Sequence, residues 1–427
     1  MRSPNLACAF LAAAAASTHA FLFPSPSSSC SSLSTAAPAA RGLARRHATP
    51  AQQDHQQQQS GQPQPKAQGN LADIIADARA QEEAEKIMKQ MEEGAVREMG
   101  EAQAAGPKYM PSIEPDDPIV QALQKVLGVG VVEKWELLDS RWNGNEVFKY
   151  TTDKGLFFIK LNRVEDPSVF LTEAVGLSAL AATNTLPCPK PLHLGKLPKI
   201  GDIGPGAFMV LEHLKLKPFG IMRSDMQQQL GTQLAALHLD QTHAALHKGR
   251  FGFSVSNYLA LTPLNNTWTD SWPAFLAQRL ESQVTALYQE KQYGRAALNS
   301  TDLELRELGS RVIQAVPSLL MGVEVKPSLI HGDLWIGNAG ATDAGPVIFD
   351  PACFFGHHEM ELAMMTLFGG FRDDFWGAYH AVLPKAKGFE TRQKLYQFYY
   401  YLNQLNLFGD AGVKRTCVRL AEELLLV

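Results

Sequence analysis

Apolar residues recur with strand and helix periods from residue 118 onward, and the first part of this region is predicted to be rich in strands. At 118–131 the apolar side chains have the spacing of an amphipathic helix. Segments in which apolar and polar residues alternate between turn residues are typical of strands. The predicted elements of this part are helices at 118–131 and Ser168–Ala182, and strands at 134–140, 145–151, 155–161, 191–194 and 207–214.

The helical period dominates the rest of the chain. Helices are predicted at 225–240, 272–290, 300–316, 359–368 and 391–407. A loop-and-hairpin block from Ser328 to Asp350 interrupts them. A small β-rich half followed by a larger helical half predicts a two-lobed α+β protein, with an N-lobe at 115–212 and a C-lobe at 213–427. Proteins of this kind bind their ligands in the cleft between the lobes.

The composition is that of an ordinary globular protein. Of 427 residues, 45% are hydrophobic and 19% are charged, which excludes a chain that is disordered throughout. The formal net charge of −4 does not suggest a basic surface for nucleic acid, and no nucleic-acid partner is expected. The five cysteines form no C-x-x-C pair, so neither a zinc site nor a disulfide framework is expected.

The first 114 residues predict targeting and spacer segments. Residues 1–20 contain an apolar run from Leu6 to Ala16 and resemble a signal peptide. Residues 21–50 contain no Asp or Glu and resemble a transit peptide, whereas 51–114 predict a disordered linker followed by a solvated helix. We expect import into a plastid, with secretion or mitochondrial import as alternatives. No later run of about 20 apolar residues exists, so no membrane association of the mature form is expected.

Chemistry-bearing residues are concentrated in the sequence HGDLWIGN at 331–338 and in an aspartate that follows a short hairpin. Phosphoryl transfer requires a base for the attacking hydroxyl, and its transition state is stabilised mainly by positioning and charge. The pattern H-x-D-x4-N predicts Asp333 as the base. Asn338 and Asp350 are predicted to hold Mg²⁺, which prefers a few oxygen ligands plus phosphate. The spacing from Asp333 to Asn338 equals that of the protein-kinase catalytic loop.

The nucleotide side of the site is predicted in the first half of the chain. Lys160 lies on the strand LFFIKL and Glu173 on the following helix, which is the order in which kinases hold the phosphate-binding lysine. Backbone groups near Glu212 and Leu214, where the last strand leads into the second half, are expected to bind adenine. The phosphate loop is weak, because the segment SRWNGN contains only Gly144 where kinases have three glycines.

Further residues near these motifs are expected to contact substrate or to support the catalytic loop. Trp335, two residues after the base, predicts a stacking surface for a sugar or a cationic amine, with a packing role as the alternative. Asp270 and Trp272 are substrate candidates, although Asp270 equally fits a helix cap. His331 and Glu361 are expected to anchor the catalytic loop.

These motifs resemble the fructosamine-3-kinase and ketosamine-3-kinase family over about residues 115–425. The matching sequences are HGDLWIGN, GPVIFDPACFFGHHEMELAMMTLFGGF, AYHAVLPKAKGF, LFFIKLNR, FMVLEHL, FGF and TWTDSWPAFLAQRL. The resemblance implies a protein-kinase-like fold and ATP-dependent phosphorylation of the C3 hydroxyl of sugar ketoamines on protein lysines.

The resemblance also carries roles onto matching positions. It implies Asp333 as the base, Asn338 and Asp350 as the metal ligands, and Lys160 with Glu173 as the phosphate clamp, with ATP and Mg²⁺ as cofactors. The phosphate loop departs from the family, because family members often carry a cysteine there and this loop has none. Redox control through that loop is therefore not expected.

Phosphorylation at C3 would make a poor leaving group into a good one, so that the adduct eliminates phosphate, hydrolyses and releases the lysine amine. The expected substrates are glycated proteins or small ketosamines, with ribulosamine preferred over fructosamine. A small-molecule kinase of the aminoglycoside or choline kinase type is the alternative, and a non-catalytic kinase-like binding module is another. A wide cleft would favour protein adducts, and an enclosed acidic pocket a small cation. The sequence does not determine the oligomeric state.

Overall fold

The structure is a computed structural model that describes residues 111–140, 145–163, 168–201, 204–217, 221, 223–289, 298 and 302–427. The signal-like and transit-like segments, and the linker and helix up to residue 110, lie outside the described residues. Gly144 of the phosphate loop lies outside them as well. The interpretations of these segments therefore stay predictions.

The first part of the described chain is an antiparallel sheet that has a helix on each face. Its strands are β1 (Val132–Ser140), β2 (Asn145–Thr152), β3 (Gly155–Asn162), β4 (Pro191–Leu197) and β5 (Gly206–Glu212), and its helices are α1 (Pro118–Lys125) and α2 (Ser168–Ala182). The spatial order is β1-β2-β3-β5-β4. Each neighbouring pair is antiparallel.

The alternation of side chains in β5 directs its two faces into different cores. Phe208 and Val210 pack in a cluster with α1, whereas Met209 and Leu211 pack with α2 and the helical part of the chain. A strand that is apolar on both faces reads as a continuous hydrophobic run, as the sequence AFMVLE does. Strand β5, which lies between β3 and β4, therefore has a hydrophobic layer on each face.

Helix α1 is shorter than the helix predicted at 118–131. Asp117 caps it, because its side chain accepts hydrogen bonds from the N–H groups of Ile119 and Val120. The helix ends at Lys125, and Gly128 adopts a φ of +68° shortly after it. The predicted extension to residue 131 is wrong, because a left-handed residue cannot continue an α-helix.

The second part of the described chain is mostly helical. Its helices are α3 (Ser224–Leu239), α4 (Gln241–Leu246), α5 (Trp272–Ala286), α6 (Glu304–Leu319), α7 (His358–Leu367), α8 (Asp373–Val382), α9 (Phe389–Phe408) and α10 (Ala411–Leu425). Three short hairpin-like pairs accompany them: β6 (Asn257–Leu259) with β7 (Thr262–Leu264), β8 (Ser328–Ile330) with β11 (Phe354–Gly356), and β9 (Ala339–Ala341) with β10 (Pro346–Ile348).

Three of these helices, α4, α8 and α10, were not among the predicted elements. Helix α10 carried a usable signal, because Cys417, Leu420 and Leu424 are buried at helical spacing. Helix α8 buries only Phe375 and Tyr379. It packs on α3 so closely that a Cβ at Gly231 would lie 2.5 Å from the Phe375 carbonyl oxygen. The position of α8 thus depends on a partner helix far away in sequence.

The arrangement confirms the predicted α+β class, with a β-rich part followed by a larger helical part. Lys160 of β3 reaches Asp350 of the helical part directly, so the two parts meet at the residues with the predicted chemistry. None of the helices in the described ranges is long and apolar enough to cross a membrane.

Candidate active site

The loop with the predicted base connects two of the short strand pairs. The sequence HGDLWIGN runs from β8 to β9 and ends in a 3₁₀ turn, Ile336–Asn338. The Asn338 side-chain amide donates hydrogen bonds to the Asp333 backbone oxygen at 2.8 Å and to its carboxylate Oδ2 at 3.2 Å. The tight loop thus places Asp333 and Asn338 side by side. The side-chain oxygen Oδ1 of Asn338 remains as an acceptor.

Asp350 follows β10 in a strained backbone conformation, with a φ of +60°. Residues other than glycine are uncommon in this region, and such residues cluster at functional sites. The Asp350 carboxylate Oδ1 lies 2.5 Å from the Lys160 Nζ, although the residues are 190 positions apart. Lys160 is 3% exposed and also pairs with Glu173 of α2 at 2.6 Å. One lysine thus joins the sheet, helix α2 and the segment after β10.

The ionised groups at this centre carry an excess of negative charge. Lys160 is the cation, and Glu173, Asp333 and Asp350 are carboxylates, so two negative charges are left over when all are ionised. A hard divalent cation compensates such an excess and takes carboxylate and amide oxygens as ligands. The oxygen atoms of Asn338 and Asp350 fit Mg²⁺ in this respect, and a cation there would let phosphate oxygens approach.

The base loop and the Asp350 segment cross at a position that only glycine can occupy. The Ala352 N–H donates to the His331 carbonyl oxygen at 2.8 Å. Gly332 has a φ of +83°, and a Cβ there would lie 2.3 Å from the Ala352 oxygen. Any side chain at Gly332 would therefore separate the two segments that carry Asp333 and Asp350.

The imidazole of His331 also bridges the two segments. Its Nε2 lies 2.9 Å from the Phe349 carbonyl oxygen, and the Asp333 N–H donates to its Nδ1 at 3.3 Å. Burial lowers the pKa of His331 against the opposing effect of Glu361, which favours the neutral ring. The neutral tautomer with its proton on Nε2 satisfies both contacts. These contacts are compatible with the anchoring role of His331, which stays a prediction.

Glu361 of α7 is hydrogen-bonded to the backbone of the loop that carries Asp333. Its carboxylate accepts hydrogen bonds from the N–H groups of His331 and, at 3.0 Å, Gly332. The side chain is fully buried. Burial raises the pKa of Glu361, while His331 and the backbone N–H groups act in the opposite direction. These contacts are compatible with the predicted anchoring role of Glu361, which stays a prediction.

The predicted adenine-binding segment lies at the end of β5. The Glu212 N–H is already used, because it donates to the Lys190 carbonyl oxygen at 2.9 Å. The Leu214 carbonyl oxygen accepts from the Leu216 N–H at 3.1 Å. The Leu214 N–H has no hydrogen-bond partner within the described ranges, so it is the donor that this segment offers to a base.

Sequence reasoning missed three apolar residues that lie near these groups. Phe158 shares a face of β3 with Lys160, since residues two apart in a strand point the same way. Phe349 directly precedes Asp350, and its ring and the Leu216 side chain lie 3.3 and 3.1 Å from the position of a Cβ at Gly340. The alternation in β3 was the available signal for Phe158. The sequence held no signal for the contact of Phe349 and Leu216 at Gly340.

Trp335 lies in the loop HGDLWIGN, two residues after Asp333, and remains partly exposed. Its indole packs over Gly337, where a Cβ would lie 2.3 Å from the ring. It meets the Phe368 ring edge to face, with 5.5 Å between the ring centroids. Gly370 packs against Ile336 in the same way, since a Cβ there would lie 2.5 Å from that side chain. The Phe368–Gly370 segment thus continues the aromatic surface next to the base.

Of the two other predicted substrate contacts, Trp272 needs correction and Asp270 stays a prediction. Trp272 is only 2% exposed, and its Nε1–H donates to the Tyr396 hydroxyl at 3.0 Å. A side chain enclosed in this way belongs to the core and cannot contact a substrate. Asp270 is exposed but is not the helix cap, because Ser271 caps α5 through a hydrogen bond from the Ala274 N–H.

One group of potential metal ligands lies away from this centre. His357, His358 and Glu359 have ligand atoms within 4.8 Å of one another. Both Glu359 oxygens are occupied by Arg392, at 2.7 Å each. The His357 Nδ1 lies 2.7 Å from the Tyr396 hydroxyl. The group is therefore a buried structural network and not a second metal site.

Comparison with known proteins agrees with this geometry. The sequence profile of the family described as fructosamine kinase matches residues 137–425. The chain belongs to the fructosamine kinase family. The matched region includes Lys160, Glu173, Asp333, Asn338 and Asp350, and the resemblance seen in the motifs is confirmed.

The alignments with individual relatives cover most of the length of those relatives. A ketosamine-3-kinase of Mus musculus is 38% identical over 282 residues, which are 61% of this chain and 85% of that protein. A chloroplastic protein-ribulosamine 3-kinase of Oryza sativa subsp. indica is 38% identical over 278 residues, 65% of this chain and 74% of that protein. A crystal structure assigned to a fructosamine-3-kinase of Thermobifida fusca has 27% identity and a TM-score of 0.59, covering 72% of this chain and 99% of that one.

Proposed function

We propose that this protein is an ATP-dependent kinase that phosphorylates the C3 hydroxyl of ketoamine adducts on protein lysines. Family membership supports the reaction class. One observation carries the proposal. The Lys160 Nζ lies 2.6 Å from a Glu173 carboxylate oxygen and 2.5 Å from an Asp350 carboxylate oxygen. The hydrogen-bonded pair of Asp333 and Asn338 lies beside this centre. This set contains a base, a lysine–glutamate pair and oxygen ligands for a metal ion, which are protein groups that phosphoryl transfer from ATP uses.

Asp333 is the proposed general base. The C3 hydroxyl of the ketoamine would donate its proton to the Asp333 carboxylate as its oxygen attacks the γ-phosphorus of ATP, and ADP leaves. Asn338 holds the carboxylate from one side, and the His331 ring accepts a hydrogen bond from the Asp333 N–H. This support fixes the orientation of the base before the substrate arrives, which lowers the cost of reaching the reactive geometry.

Lys160 and Glu173 are the proposed phosphate clamp. The partly exposed Glu173 carboxylate, 2.6 Å from the Lys160 Nζ, keeps the ammonium in place so that it can meet the ATP phosphates. The Leu214 N–H and the backbone near Glu212 would bind adenine, with Phe158, Phe349 and Leu216 as apolar contacts. Gly144 in the phosphate loop remains part of this proposal.

Asn338 and Asp350 are the proposed ligands of Mg²⁺. Their oxygens match its preference, and the excess of negative charge at the centre favours a divalent cation. When bound, Mg²⁺ would neutralise charge on the phosphates of ATP. The Asp350 carboxylate also lies 2.5 Å from the Lys160 Nζ.

The product chemistry accounts for a repair function. A ketoamine interconverts with its enaminol, and a phosphate at C3 leaves from that form much more readily than a hydroxyl. Elimination of inorganic phosphate followed by hydrolysis releases the lysine amine. Trp335 and Phe368 would pack against the sugar beside the base, where their rings form a partly exposed aromatic surface.

The test uses one lysine peptide in ribosylated, glucosylated and unmodified forms. We expect the purified enzyme to consume ATP above its acceptor-free background rate only with the glycated peptides, and phosphate and free lysine to appear afterwards. Aminoglycosides and choline serve as competing acceptors. Turnover with these cations and none with either glycated peptide would reject the ketoamine assignment in favour of a small-molecule kinase.

We further propose that the protein acts in a plastid. The signal-like and transit-like composition of residues 1–50 supports this location. The rice relative is described as chloroplastic, although the mouse relative is not. Plastids contain pentose and tetrose phosphates, which glycate lysines faster than glucose because more of each is in the open-chain form.

A further inference from the structure

Helix α5 buries an arginine that has no acidic partner. Arg279 is 2% exposed, and its guanidinium lies between two phenyl rings, 4.9 Å from the Phe275 centroid and 4.7 Å from that of Phe354. It donates to Asn266 Oδ1 and, at 3.4 Å, to the Tyr399 hydroxyl. Within the described ranges no carboxylate pairs with it, and its Nε has no hydrogen-bond partner.

Such a group is costly for stability. A cation buried without a counter-ion loses its hydration, and only the ring faces and two neutral oxygens replace that hydration here. Burial accordingly lowers the pKa of Arg279, against smaller opposing effects of Tyr399 and Tyr400. An apolar side chain of similar length would avoid this cost. Residues that break a stability rule without local compensation are expected at functional positions.

The contacts of Arg279 lead to the segment that follows Asp350. Its guanidinium touches Phe354 directly. The Asn266 amide that it binds donates to Asn257 Oδ1 at 2.8 Å, and Asn257 donates to the Cys353 carbonyl oxygen at 2.9 Å. The arginine therefore fixes both a side chain and a backbone carbonyl only three and four positions beyond Asp350.

The same region is tied to the loop of the proposed base. The Ala352 N–H donates to His331, and Gly332 lies against the Ala352 carbonyl. The Tyr400 hydroxyl, next to the Arg279 partner Tyr399, donates to the Gly332 carbonyl oxygen at 3.2 Å. A shift of the 352–354 segment would therefore move the backbone next to Asp333 as well.

We propose that Arg279 is a positioning residue for phosphoryl transfer, which holds the 350–354 segment in register with the Asp333 loop. The inference rests on the roles proposed above for Asp333 and Asp350. Arg279 itself is too deeply buried to touch ATP or the ketoamine. It acts through Phe354 and the Asn266–Asn257 pair.

The test compares Arg279→Met with Arg279→Lys. Methionine keeps the length without the charge, so we expect kcat to fall by about 10–100-fold, the order of loss that a small misplacement of reacting groups causes. Both KM values should change much less. The melting temperature of the ligand-free enzyme should fall by no more than about 2 °C, because removal of the buried charge offsets the lost contacts. Lysine keeps the charge without the planar fork and should give an intermediate kcat.

A binding measurement supplies a readout that does not depend on turnover. We expect Mg²⁺ to strengthen ADP binding in calorimetry, and this enhancement to shrink several-fold in Arg279→Met because the Asp350 segment has lost its support. Arg306→Met is the matched control. Arg306 also lies over an aromatic ring, 4.2 Å from the Tyr288 centroid, but it is exposed.

Several results would overturn the inference. One is a kcat of Arg279→Met within twofold of wild type, and another is a kcat of Arg279→Lys no higher than that of Arg279→Met. A large loss of melting temperature with normal kcat in the folded fraction would show a purely structural role. Asp333→Asn is measured in parallel. If it retains full turnover, the proposed base is wrong, whereas an inactive Asp333→Asn beside a fully active Arg279→Met rejects only the role of Arg279.

Discussion

Asp333 is surrounded by groups that fix its orientation from several directions. Its backbone N–H donates to His331, and its carboxylate accepts from Asn338. The loop backbone on either side of it is held by Glu361 and by the contact between Gly332 and Ala352. A carboxylate that is held in this way suits a base whose main task is to receive one proton at a fixed position.

Replacement of the base tests its role most directly. We expect Asp333→Asn to bind ATP nearly as well as wild type and to lower kcat by about 10²–10⁴-fold, the usual contribution of a general base. Asp343→Asn is the control, because Asp343 is an exposed aspartate that pairs with Lys217 in the neighbouring hairpin. Wild-type turnover in purified Asp333→Asn would remove this residue from the mechanism.

The aromatic surface next to the base predicts a preference between sugars. The hexose adduct has one more CHOH unit than the pentose adduct, and Trp335 and Phe368 supply bulky groups where it would extend. We expect kcat/KM for ribulosamine to exceed that for fructosamine by about 10–200-fold, equivalent to ~1–3 kcal/mol. Competition between ribosylated and glucosylated forms of one peptide measures it. Trp335→Leu should narrow the ratio, and equal wild-type rates would contradict the expectation.

His238 gives the stability of the protein a defined pH dependence. Burial lowers its pKa from 6.5 to about 3. The groups that face it are the Tyr379 hydroxyl, 2.8 Å from Nδ1, the Glu361 carboxylate, 3.9 Å from Nε2, and the His358 ring, 6.1 Å away. Because the folded state resists protonation, the unfolded chain binds the proton first, and His238 destabilises the fold as the pH falls from about 6.5 toward 3.

We therefore expect His238→Gln to reduce the slope of the free energy of unfolding against pH between 5 and 6.5, by up to about 1.4 kcal/mol per pH unit. Denaturant unfolding at several pH values measures the slope. The raised pKa of Glu361 acts in the opposite sense, but it is present in both proteins and largely cancels in the difference. Leu239→Gln, at an exposed position of the same helix, is the control. Identical slopes for wild type and His238→Gln would contradict the prediction.

At the scale of elements, the start of helix α3 holds the loop that carries the aromatic surface. Gln227 is fully buried, and its amide nitrogen donates to the carbonyl oxygens of Ile221 and Gly370 at 2.7 and 3.1 Å. Its oxygen accepts from the Arg372 N–H at 3.3 Å. Gly369 and Gly370 both have positive φ values. The loop between α7 and α8 therefore depends on a side chain from a third helix for its shape.

Gln227→Met tests this dependence. The substitution leaves three backbone groups without their partner, at about 1–3 kcal/mol for each one that stays buried. We expect a lower melting temperature and a higher KM for the ketoamine, because Phe368 and Trp335 lose their fixed arrangement. ATP hydrolysis without acceptor should stay within about twofold of wild type, because the contacts of Lys160 with Glu173 and Asp350 do not involve Gln227. Gln229→Met, at an exposed position, is the control. An unchanged ketoamine KM in Gln227→Met would refute this role.

At the scale of the whole molecule, the family match covers residues 137–425, and residues 1–50 are predicted to be targeting segments. We expect residues 1–50 fused to a fluorescent reporter to deliver it to the plastid of an alga with complex plastids. Residues 21–50 alone should leave it in the cytosol, because they lack the apolar run of a signal peptide. Mass spectrometry of the native protein should find residues 1–20 removed. A reporter that carries the full 1–50 segment and stays in the cytosol would exclude the predicted plastid location.

The sequence by itself determined most elements and the local half of the site. Helix α2 was predicted with its observed bounds, because its apolar residues recur at helical spacing between turn segments. Asp333 and Asn338 are only five positions apart in a tight loop, which leaves them little freedom to separate. Lys160 and Glu173 are thirteen positions apart on consecutive elements, so their order along the chain already suggested the pair. In each case the contact depends mainly on nearby residues.

Only the tertiary structure decided which of the remaining residues serve the site. Trp272 is an aromatic residue of the kind that can contact a substrate, but Tyr396 of α9 covers it. Gln227 meets Gly370 across 143 positions, and Arg279 supports a segment that follows Asp350 without any charge pattern to reveal it. Such contacts arise where distant segments pack together, and hydrophobic burial, which drives that packing, is non-directional. The periodicity of a sequence therefore indicates which face is buried, but not which distant partner covers it.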